Sequence, residues 1–170
     1  MRRFFFLAFL LGSCAFPGRA TPTARAEGTG IIVRPIDGDT VVVAIAGAQE
    51  SVRFIGIDTP ESVSQQRPIE CYGPEAKERT AALLPPGTVV RLERDVEARD
   101  KYDRLLVYLY RAEDNTFVNL LLVQEGYADS FPYPPNTAHQ AHFAQAEATA
   151  KATQVGLWTA CGGTDTPAGQ

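Results

Sequence analysis

The chain has 170 residues, of which 45% are apolar and 21% charged, and its net charge at pH 7 is −4. This length and composition provide one hydrophobic core but not two. Without residues 1–26, which contain four arginines and no acidic residue, 12 basic and 20 acidic residues remain and the net charge is −8. Proteins that hold nucleic acid firmly usually carry a basic face. The charge therefore argues against tight binding of DNA or RNA, although a local cationic site with a divalent ion could still cleave it.

The first residues have the pattern of an export signal. Arg2 and Arg3 precede an apolar run over residues 4–11. This run is too short to span a bilayer comfortably, since a spanning helix needs about 20 apolar residues. We therefore predict a signal peptide over residues 1–26 and an exported protein, either secreted or periplasmic.

Two processing routes are open for this signal. Ala24-Arg25-Ala26 fits the small-x-small rule and would give a mature chain that begins at Glu27. Leu11-Gly12-Ser13-Cys14 resembles a bacterial lipobox, which would leave Cys14 acylated. We expect an anchor in a membrane only if Cys14 is lipidated.

From residue 27 the hydrophobic pattern predicts one domain, residues 27–161, with strands and helices in a fixed order. Strands are predicted at 31–33, 41–46, 51–58, 88–94 and 105–110. Helices are predicted at 74–84, 117–124 and 137–153, the last capped by Asn136 or Thr137. This order suits an α+β, mainly β fold, a five-stranded OB-type barrel with three helices. Residues 162–170 are predicted to form a disordered tail.

The cysteine count agrees with export. Cys14 belongs to the signal region, which leaves Cys71 and Cys161 for a compartment that permits disulfides. A disulfide between these two would attach the C-terminal end of the domain to its middle. The alternatives are two free thiols, which are less expected in an exported protein, or a metal site, which lacks a nearby His or second Cys.

Two acidic residues lie where the predicted strands would bring them together. Asp39 follows an Asp-Gly hairpin turn, and Asp58 ends the third strand, which we expect to pair antiparallel with the second. Alone, the carboxylate of such a turn usually faces water. Two carboxylates at one end of a small barrel, with no converging His or Cys, suit calcium or magnesium better than zinc.

Two arginines and a glutamate complete the candidate site. Arg53 lies on the third strand, Arg104 begins the fifth, and Glu61 follows Asp58 in a loop. A phosphodiester that passes through a pentacoordinate state gains negative charge, which guanidinium groups and a divalent ion stabilise. Glu61 could orient or deprotonate a water near the metal. Taken singly, the arginines are better explained by surface ion pairs and Glu61 by a solvated loop charge.

Four ordered motifs connect these residues with their neighbours. The motifs are Asp37-Gly38-Asp39-Thr40-Val41, Arg53-Phe54-Ile55-Gly56-Ile57-Asp58-Thr59-Pro60-Glu61, Tyr72-Gly73-Pro74-Glu75-Ala76 and Asp100-Lys101-Tyr102-Asp103-Arg104. In identity, order and spacing they resemble the thermonuclease (staphylococcal nuclease-like) family. The resemblance runs from about Ile31 to Trp158, nearly the whole predicted domain.

The resemblance implies an OB-type barrel that hydrolyses DNA and RNA with calcium and leaves 3′-phosphate ends. By position, Asp39 and Asp58 would bind calcium through their carboxylates, and Thr59 through its backbone carbonyl. Glu61 would act on the attacking water. Arg53 and Arg104 would hold the phosphate, and Arg104 would also assist the leaving 5′-oxygen.

The resemblance also implies a substrate surface. Lys101, Tyr102 and Tyr133 match positions that contact the terminal phosphate or the base. Three departures from the staphylococcal pattern suggest weaker substrate binding. Asp103 replaces a frequent Gly and puts a negative charge beside Arg104, Phe131 replaces a Tyr, and the 62–70 loop has one basic residue instead of several lysines.

Two other classes of protein remain open. One is an OB barrel that binds nucleic acid or another ligand without cleaving it. The other is an exported structural or adhesion domain in which the acidic residues only bind calcium. The presence of Arg53, Glu61 and Arg104 together favours an enzyme, an endonuclease or exonuclease. We expect a monomer with DNA and RNA as substrates and no stable protein partner.

Overall fold

The computed structural model describes residues 27–62 and 68–168. The strands are β1 (Glu27–Pro35), β2 (Thr40–Ile45), β3 (Ala48–Phe54), β4 (Ile57–Asp58), β5 (Val89–Glu93), β6 (Leu105–Arg111) and β7 (Asp129–Ser130). The helices are α1 (Gly73–Leu83), α2 (Val118–Gln124), α3 (Gln140–Thr153) and the short α4 (Leu157–Ala160). A closed barrel has the strand order β1-β2-β3-β6-β5, and β4 pairs with β7 beside it. The predicted five-stranded OB-type barrel is confirmed.

The first three strands form the predicted antiparallel meander. A two-residue turn joins β2 to β3, and both of its residues, Ala46 and Gly47, have positive φ, at 50° and 87°. Turns of this kind match the natural twist of paired strands. The barrel then closes through two pairings between distant parts of the chain, β1 with β5 in antiparallel and β3 with β6 in parallel.

Gly56 breaks the predicted third strand, residues 51–58, into two. Its φ is 81°, in the left-handed region that glycine adopts without steric cost. A Cβ at this position would lie 2.3 Å from Cε2 of Phe143, on α3. The chain therefore turns after β3, and Asp58 is carried by the separate strand β4. The prediction of one continuous strand is wrong here.

The helices pack on the barrel, and α2 also links the end of strand β3 to strand β6 through hydrogen bonds. Phe143 on α3 and Tyr108 on β6 are completely buried in the shared core. Asn119 on α2 is also buried: its Oδ1 accepts a bond from the Leu109 N–H at 2.9 Å, and its Nδ2 donates to the Ile55 carbonyl at 3.0 Å. These bonds hold α2 across the line where β3 meets β6.

The last long helix starts later than the sequence predicts, at Gln140 instead of residue 137. Asn136 does not cap it. The Asn136 Oδ1 accepts a bond from the Glu97 N–H at 2.7 Å, and its Nδ2 donates to the Glu97 carbonyl at 3.2 Å. The buried amide is therefore used to hold a loop of the barrel, which a local sequence pattern does not reveal.

The C-terminal end is attached to the middle of the domain. Cys71 and Cys161 form the predicted disulfide, with 5.9 Å between their Cα atoms. The sequence predicts disorder from residue 162, but residues 162–168 fold back, and Pro167 forms a β-bridge with Glu70. The predicted signal peptide and Cys14 lie outside the described residues. Within the described part of the chain, no helix is both long enough and apolar enough to cross a membrane.

Candidate active site

Asp39 is a buried carboxylate at the start of β2, with 5% of its surface exposed. Its Oδ2 accepts bonds from the backbone N–H and the hydroxyl of Thr59, at 3.1 and 3.2 Å, and its Oδ1 accepts one from the Thr40 hydroxyl at 2.9 Å. A Cβ at Gly38 would lie 2.7 Å from Oγ1 of Thr59. The Asp-Gly turn is thus packed directly against the end of β4, which fixes the direction of the Asp39 carboxylate.

Arg53 joins this carboxylate to the second one. In the β2–β3 pairing it lies opposite Thr40. Its Nη1 forms an ion pair with Asp39, and its Nη2 lies 2.5 Å from Oδ1 of Asp58 and donates to the Ile57 carbonyl at 3.1 Å. Burial lowers the pKa of the Arg53 guanidinium below its usual value, against the attraction of Asp58. The two carboxylates predicted to bind a metal therefore lie on either side of one partly buried cation.

Arg104 reaches the same pocket because β3 and β6 run parallel. Val52 of β3 pairs with Leu105 of β6, so Arg104, one residue before Leu105, lies close to the part of β3 that carries Arg53. Oδ2 of Asp100 accepts a bond from Nε of Arg104 at 2.6 Å, and its Oδ1 accepts one from the Arg104 N–H at 2.9 Å. Burial raises the pKa of Asp100, but its bonds from Arg104 outweigh burial and hold that pKa below its usual value. Asp100 thus orients Arg104.

Glu61 lies on the loop that follows β4 and is partly buried. Its backbone N–H donates to Oε2 of Glu70 at 2.8 Å, and its carbonyl accepts a bond from the Glu70 N–H at 2.9 Å. Next to it, the Ser62 hydroxyl donates to Oδ1 of Asp37 at 2.5 Å. The loop is therefore attached to the Asp-Gly turn on one side and to Glu70 on the other.

These side chains line one polar pocket of about 190 Å³. Its lining residues are Asp37, Asp39, Thr40, Arg53, Asp58, Thr59, Glu61, Glu70, Arg104 and Asp165. All six residues predicted as metal ligands or catalytic groups are among them. The pocket combines hard oxygen atoms with two guanidinium groups, which suits a phosphate and a divalent cation.

An adjoining groove of about 390 Å³ holds the predicted substrate residues. Lys101, Tyr102 and Tyr133 all line it, together with Arg53, Arg104 and Phe131. Tyr102 is 68% exposed and Phe131 is 48% exposed. Nζ of Lys101 lies 4.9 Å from the centre of the Tyr102 ring. Exposed rings beside cationic side chains can stack on a base while the arginines engage its phosphate.

The carboxylate of Asp103 pairs with Arg99, whereas the sequence places its charge beside Arg104. The residue is in the left-handed region, with φ of 64°. Its carboxylate lies 3.6 Å from Nε of Arg99, and its side chain is 87% exposed. The charge is therefore directed to Arg99 and to water instead of Arg104.

Three acidic residues near the site have no role in the sequence prediction. Glu70 holds the loop of Glu61, Asp165 lines the polar pocket, and Asp129 lies opposite Asp58 in the β4–β7 pairing. Burial raises the pKa of Asp129 to about 6, and the charge of Asp58 adds to the shift. Glu70 and Asp165 lie on segments without hydrophobic periodicity, so no sequence pattern indicates their place.

The donor set fits calcium in type. Asp39, Asp58 and the Thr59 backbone offer only oxygen atoms, the ligands that calcium prefers, and calcium also accepts water and substrate oxygens. In residues 27–62 and 68–168, no group of three or more His, Cys, Asp or Glu side chains is arranged to hold a metal ion. The protein groups alone therefore do not form a closed cage, and a cation here would need other oxygens.

Comparisons with known proteins identify the family of the chain. The sequence model of the family described as "Staphylococcal nuclease homologue" matches residues 51–160, which include Arg53, Glu61 and Arg104. The chain is 38% identical over 128 residues to the thermonuclease of Staphylococcus intermedius, covering 75% of this chain and 74% of that protein. It is 37% identical over 153 residues to the thermonuclease of Staphylococcus hyicus, covering 90% and 88%. It is also 37% identical over 131 residues to Endonuclease YncB of Bacillus subtilis (strain 168), covering 76% and 61%.

Proposed function

The chain belongs to the staphylococcal nuclease family, and we propose that it hydrolyses DNA and RNA with calcium and leaves 3′-phosphate ends. Its similarity to two thermonucleases and an endonuclease identifies it as a nuclease, a hydrolase that acts on nucleic acid. The observation that carries the finer proposal is the ion-pair bridge of Arg53 between Asp39 and Asp58, in a pocket that Glu61 and Arg104 also line.

Calcium would be held by the carboxylates of Asp39 and Asp58 and the backbone carbonyl of Thr59. When bound, it supplies positive charge that stabilises the negative charge of the phosphate during cleavage. The all-oxygen donor set supports this assignment over zinc.

The residues of the chain would carry the reaction itself. Glu61 takes a proton from the attacking water, whose oxygen forms a bond to phosphorus. Arg53 and Arg104 stabilise the charge on the pentacoordinate phosphorus. The bond from phosphorus to the 5′-oxygen then breaks, and that oxygen takes a proton from solvent water while Arg104 stabilises its charge. The products are a 3′-phosphate and a 5′-hydroxyl.

The substrate would enter through the groove beside the pocket. Tyr102, Phe131 and Tyr133 offer ring faces to a base, and Lys101 offers charge to a terminal phosphate. Stacking on a ring is tolerant of base identity and of the sugar, which supports activity on both DNA and RNA. The acidic balance of the chain supports weak binding that depends strongly on salt.

An assay with purified protein tests this function. We expect cleavage of single-stranded DNA and RNA when calcium is present and none with a chelator. End labelling of the products should show 5′-hydroxyl and 3′-phosphate ends. A lack of cleavage at millimolar calcium, across neutral and alkaline pH, would refute the enzyme and favour a binding module.

Export is a second part of the proposal. The pattern at residues 1–26 supports it, and so does the Cys71–Cys161 disulfide, because disulfides persist in oxidising compartments. Cell fractionation followed by mass analysis of the N-terminus would test it. A mature end at Glu27 would indicate a soluble exported protein, and an acylated Cys14 a lipid-anchored one, whereas an unprocessed cytoplasmic chain would refute export.

A further inference from the structure

The C-terminal arm, defined as residues 161–168, is fixed to the segment that leads into α1. The disulfide joins its first residue to Cys71. The Cys71 N–H donates to the Thr166 carbonyl at 2.7 Å, and the Ala168 N–H donates to the Ile69 carbonyl at 3.0 Å. One covalent bond and two backbone hydrogen bonds therefore hold the arm against residues 69–71.

The residue in the middle of this contact is Glu70, which forms the β-bridge with Pro167. Glu70 also binds both backbone polar groups of Glu61: its Oε2 accepts from the Glu61 N–H at 2.8 Å, and its N–H donates to the Glu61 carbonyl at 2.9 Å. Glu70 thus connects the C-terminal arm with the proposed catalytic base.

The arm is anchored on its other side as well. The Thr164 hydroxyl donates to Oδ2 of Asp129 at 2.9 Å, on the strand that pairs with β4. Asp165 follows and lines the polar pocket. The arm therefore runs between the β4–β7 pair and the loop of Glu61, and contacts both.

Glu61 needs such support for a physical reason. It lies on a loop, and a catalytic group must be held within about 0.5 Å of its productive position to act efficiently. Loops are the most mobile part of a fold unless other segments fix their backbone. Here the two bonds to the backbone of Glu61 come from Glu70, beside the Ser62–Asp37 bond, and Glu70 is itself held by the arm.

We propose that Glu70 is a positioning residue for Glu61, and that the disulfide-anchored C-terminal arm holds Glu70 in place. The inference rests on the proposed role of Glu61 in cleavage. It assigns a function to a segment that the sequence predicts to be disordered.

Three variants test the proposal by kinetics. Glu70→Ala removes the acceptor for the Glu61 N–H, Glu70→Gln keeps an oxygen acceptor, and truncation after Gly162 removes the brace but keeps the disulfide. We expect kcat to fall about tenfold or more in Glu70→Ala and in the truncated chain, from loss of about one charge-assisted hydrogen bond, with KM little changed. Glu70→Gln should recover most of kcat. Truncation after Ala168 is the matched control and should keep full activity.

Amide hydrogen exchange, measured by NMR on the same proteins, gives a readout independent of activity. The Glu61 amide should be protected in the unaltered chain and exchange about tenfold faster in Glu70→Ala and after truncation at Gly162. The Val52 amide in β3 should be unchanged, which shows that the barrel is intact.

The outcomes separate the two proposals. If the unaltered chain does not cleave nucleic acid, the proposed function fails, and exchange at Glu61 still decides whether the arm holds it. Unchanged exchange and kcat in the chain truncated after Gly162 would overturn the role of the arm. Faster exchange with unchanged kcat would overturn positioning for catalysis.

Discussion

Nη2 of Arg53 lies 2.5 Å from Oδ1 of Asp58, although a glycine turn separates the two residues onto different strands. With its other terminal nitrogen on Asp39, Arg53 forms ion pairs with both carboxylates that are proposed to bind calcium. A cation that binds these carboxylates must therefore share them with an arginine that we propose also stabilises the phosphate.

Arg53→Met should separate calcium binding from cleavage. Loss of one partner of a buried ion pair is expected to lower the free energy of unfolding by about 3 kcal/mol without calcium, because Asp39 stays buried. Calcium should bind about fivefold tighter or more, since a like charge is removed. Cleavage should fall by about a hundredfold or more. Calorimetric titration, thermal unfolding and rate measurements check the three effects.

Arg79→Met is the control for that variant, because Arg79 forms an ion pair with Glu125 and neither residue is among those that line the pocket. It should change neither calcium affinity nor the cleavage rate. Weaker calcium binding in Arg53→Met would contradict the idea that Arg53 and the cation compete.

Glu61→Gln and Arg104→Gln should each lower kcat by about a hundredfold or more, because one removes the proposed base and the other a phosphate-binding charge. The free energy of unfolding should change little in Glu61→Gln, because Glu61 is only partly buried. It should fall by about 1–3 kcal/mol in Arg104→Gln, because the buried Asp100 carboxylate loses its ion pair. Single-turnover rates and urea unfolding check this. A near-normal rate in either variant would show that its assigned role is wrong.

Gly56→Ala should destabilise the protein strongly. The new Cβ would meet the Phe143 ring at 2.3 Å and hold a side chain at φ of 81°. Overpacking and the left-handed backbone together should cost about 2–5 kcal/mol. The measurement is urea unfolding.

Gly47→Ala is the matched control for this effect. Gly47 has a similar φ, 87°, but no atom lies within 4 Å of its added Cβ. Its cost should be about 1 kcal/mol, from the backbone alone. Equal costs for the two variants would mean that contact with Phe143 does not constrain the turn.

Tyr110→Phe should reduce the decrease in the free energy of unfolding that occurs at alkaline pH. Burial raises the pKa of Tyr110 to about 12, and Glu93 adds to the shift. Below its unfolded pKa of about 10 the phenol is protonated in both states, so its contribution is complete. As pH rises from about 10 to 12, the unfolded chain loses the proton first and stability falls. The free energy of unfolding should fall by about 1–2 kcal/mol across that range, as measured by urea unfolding at each pH. The same dependence on pH in Tyr110→Phe would contradict this assignment.

Replacing both Cys71 and Cys161 by Ser should lower the free energy of unfolding by about 2–5 kcal/mol, because the bond restricts the unfolded chain. The bond closes a loop with a sequence separation of 90. Thiol labelling of the unfolded, unreduced protein, followed by peptide mass analysis, should leave both cysteines unlabelled. Labelling of either one would show that the bond is absent.

Local patterns account for the part of the fold and site that the sequence predicts. A tight hairpin sets the register of its two strands, which places Arg53 opposite Thr40, next to Asp39. The closed barrel also brings Arg104 to the same end. The sequence places these residues correctly because short turns and alternating strands allow few arrangements.

The rest depends on contacts between distant segments. The sequence around Gly56 does not indicate that Phe143 packs against it, so the break in the strand cannot be predicted from the sequence. Asp165 lies in a polar segment whose place is set by the disulfide and a single β-bridge. The Asp103 carboxylate lies near Arg99 because the left-handed backbone of Asp103 turns the side chain away from Arg104. The order of the two residues in the sequence does not show this.

The parallel pairing of β3 with β6 also determines when the site forms during folding. Arg53 lies on β3 and Arg104 immediately precedes β6, so they become neighbours only when the barrel closes. Contacts between segments so distant in sequence form slowly, because the intervening chain must first be ordered. A newly made or partly folded chain therefore has no assembled phosphate site. The proposed cleavage of nucleic acid would therefore begin only after the barrel has closed.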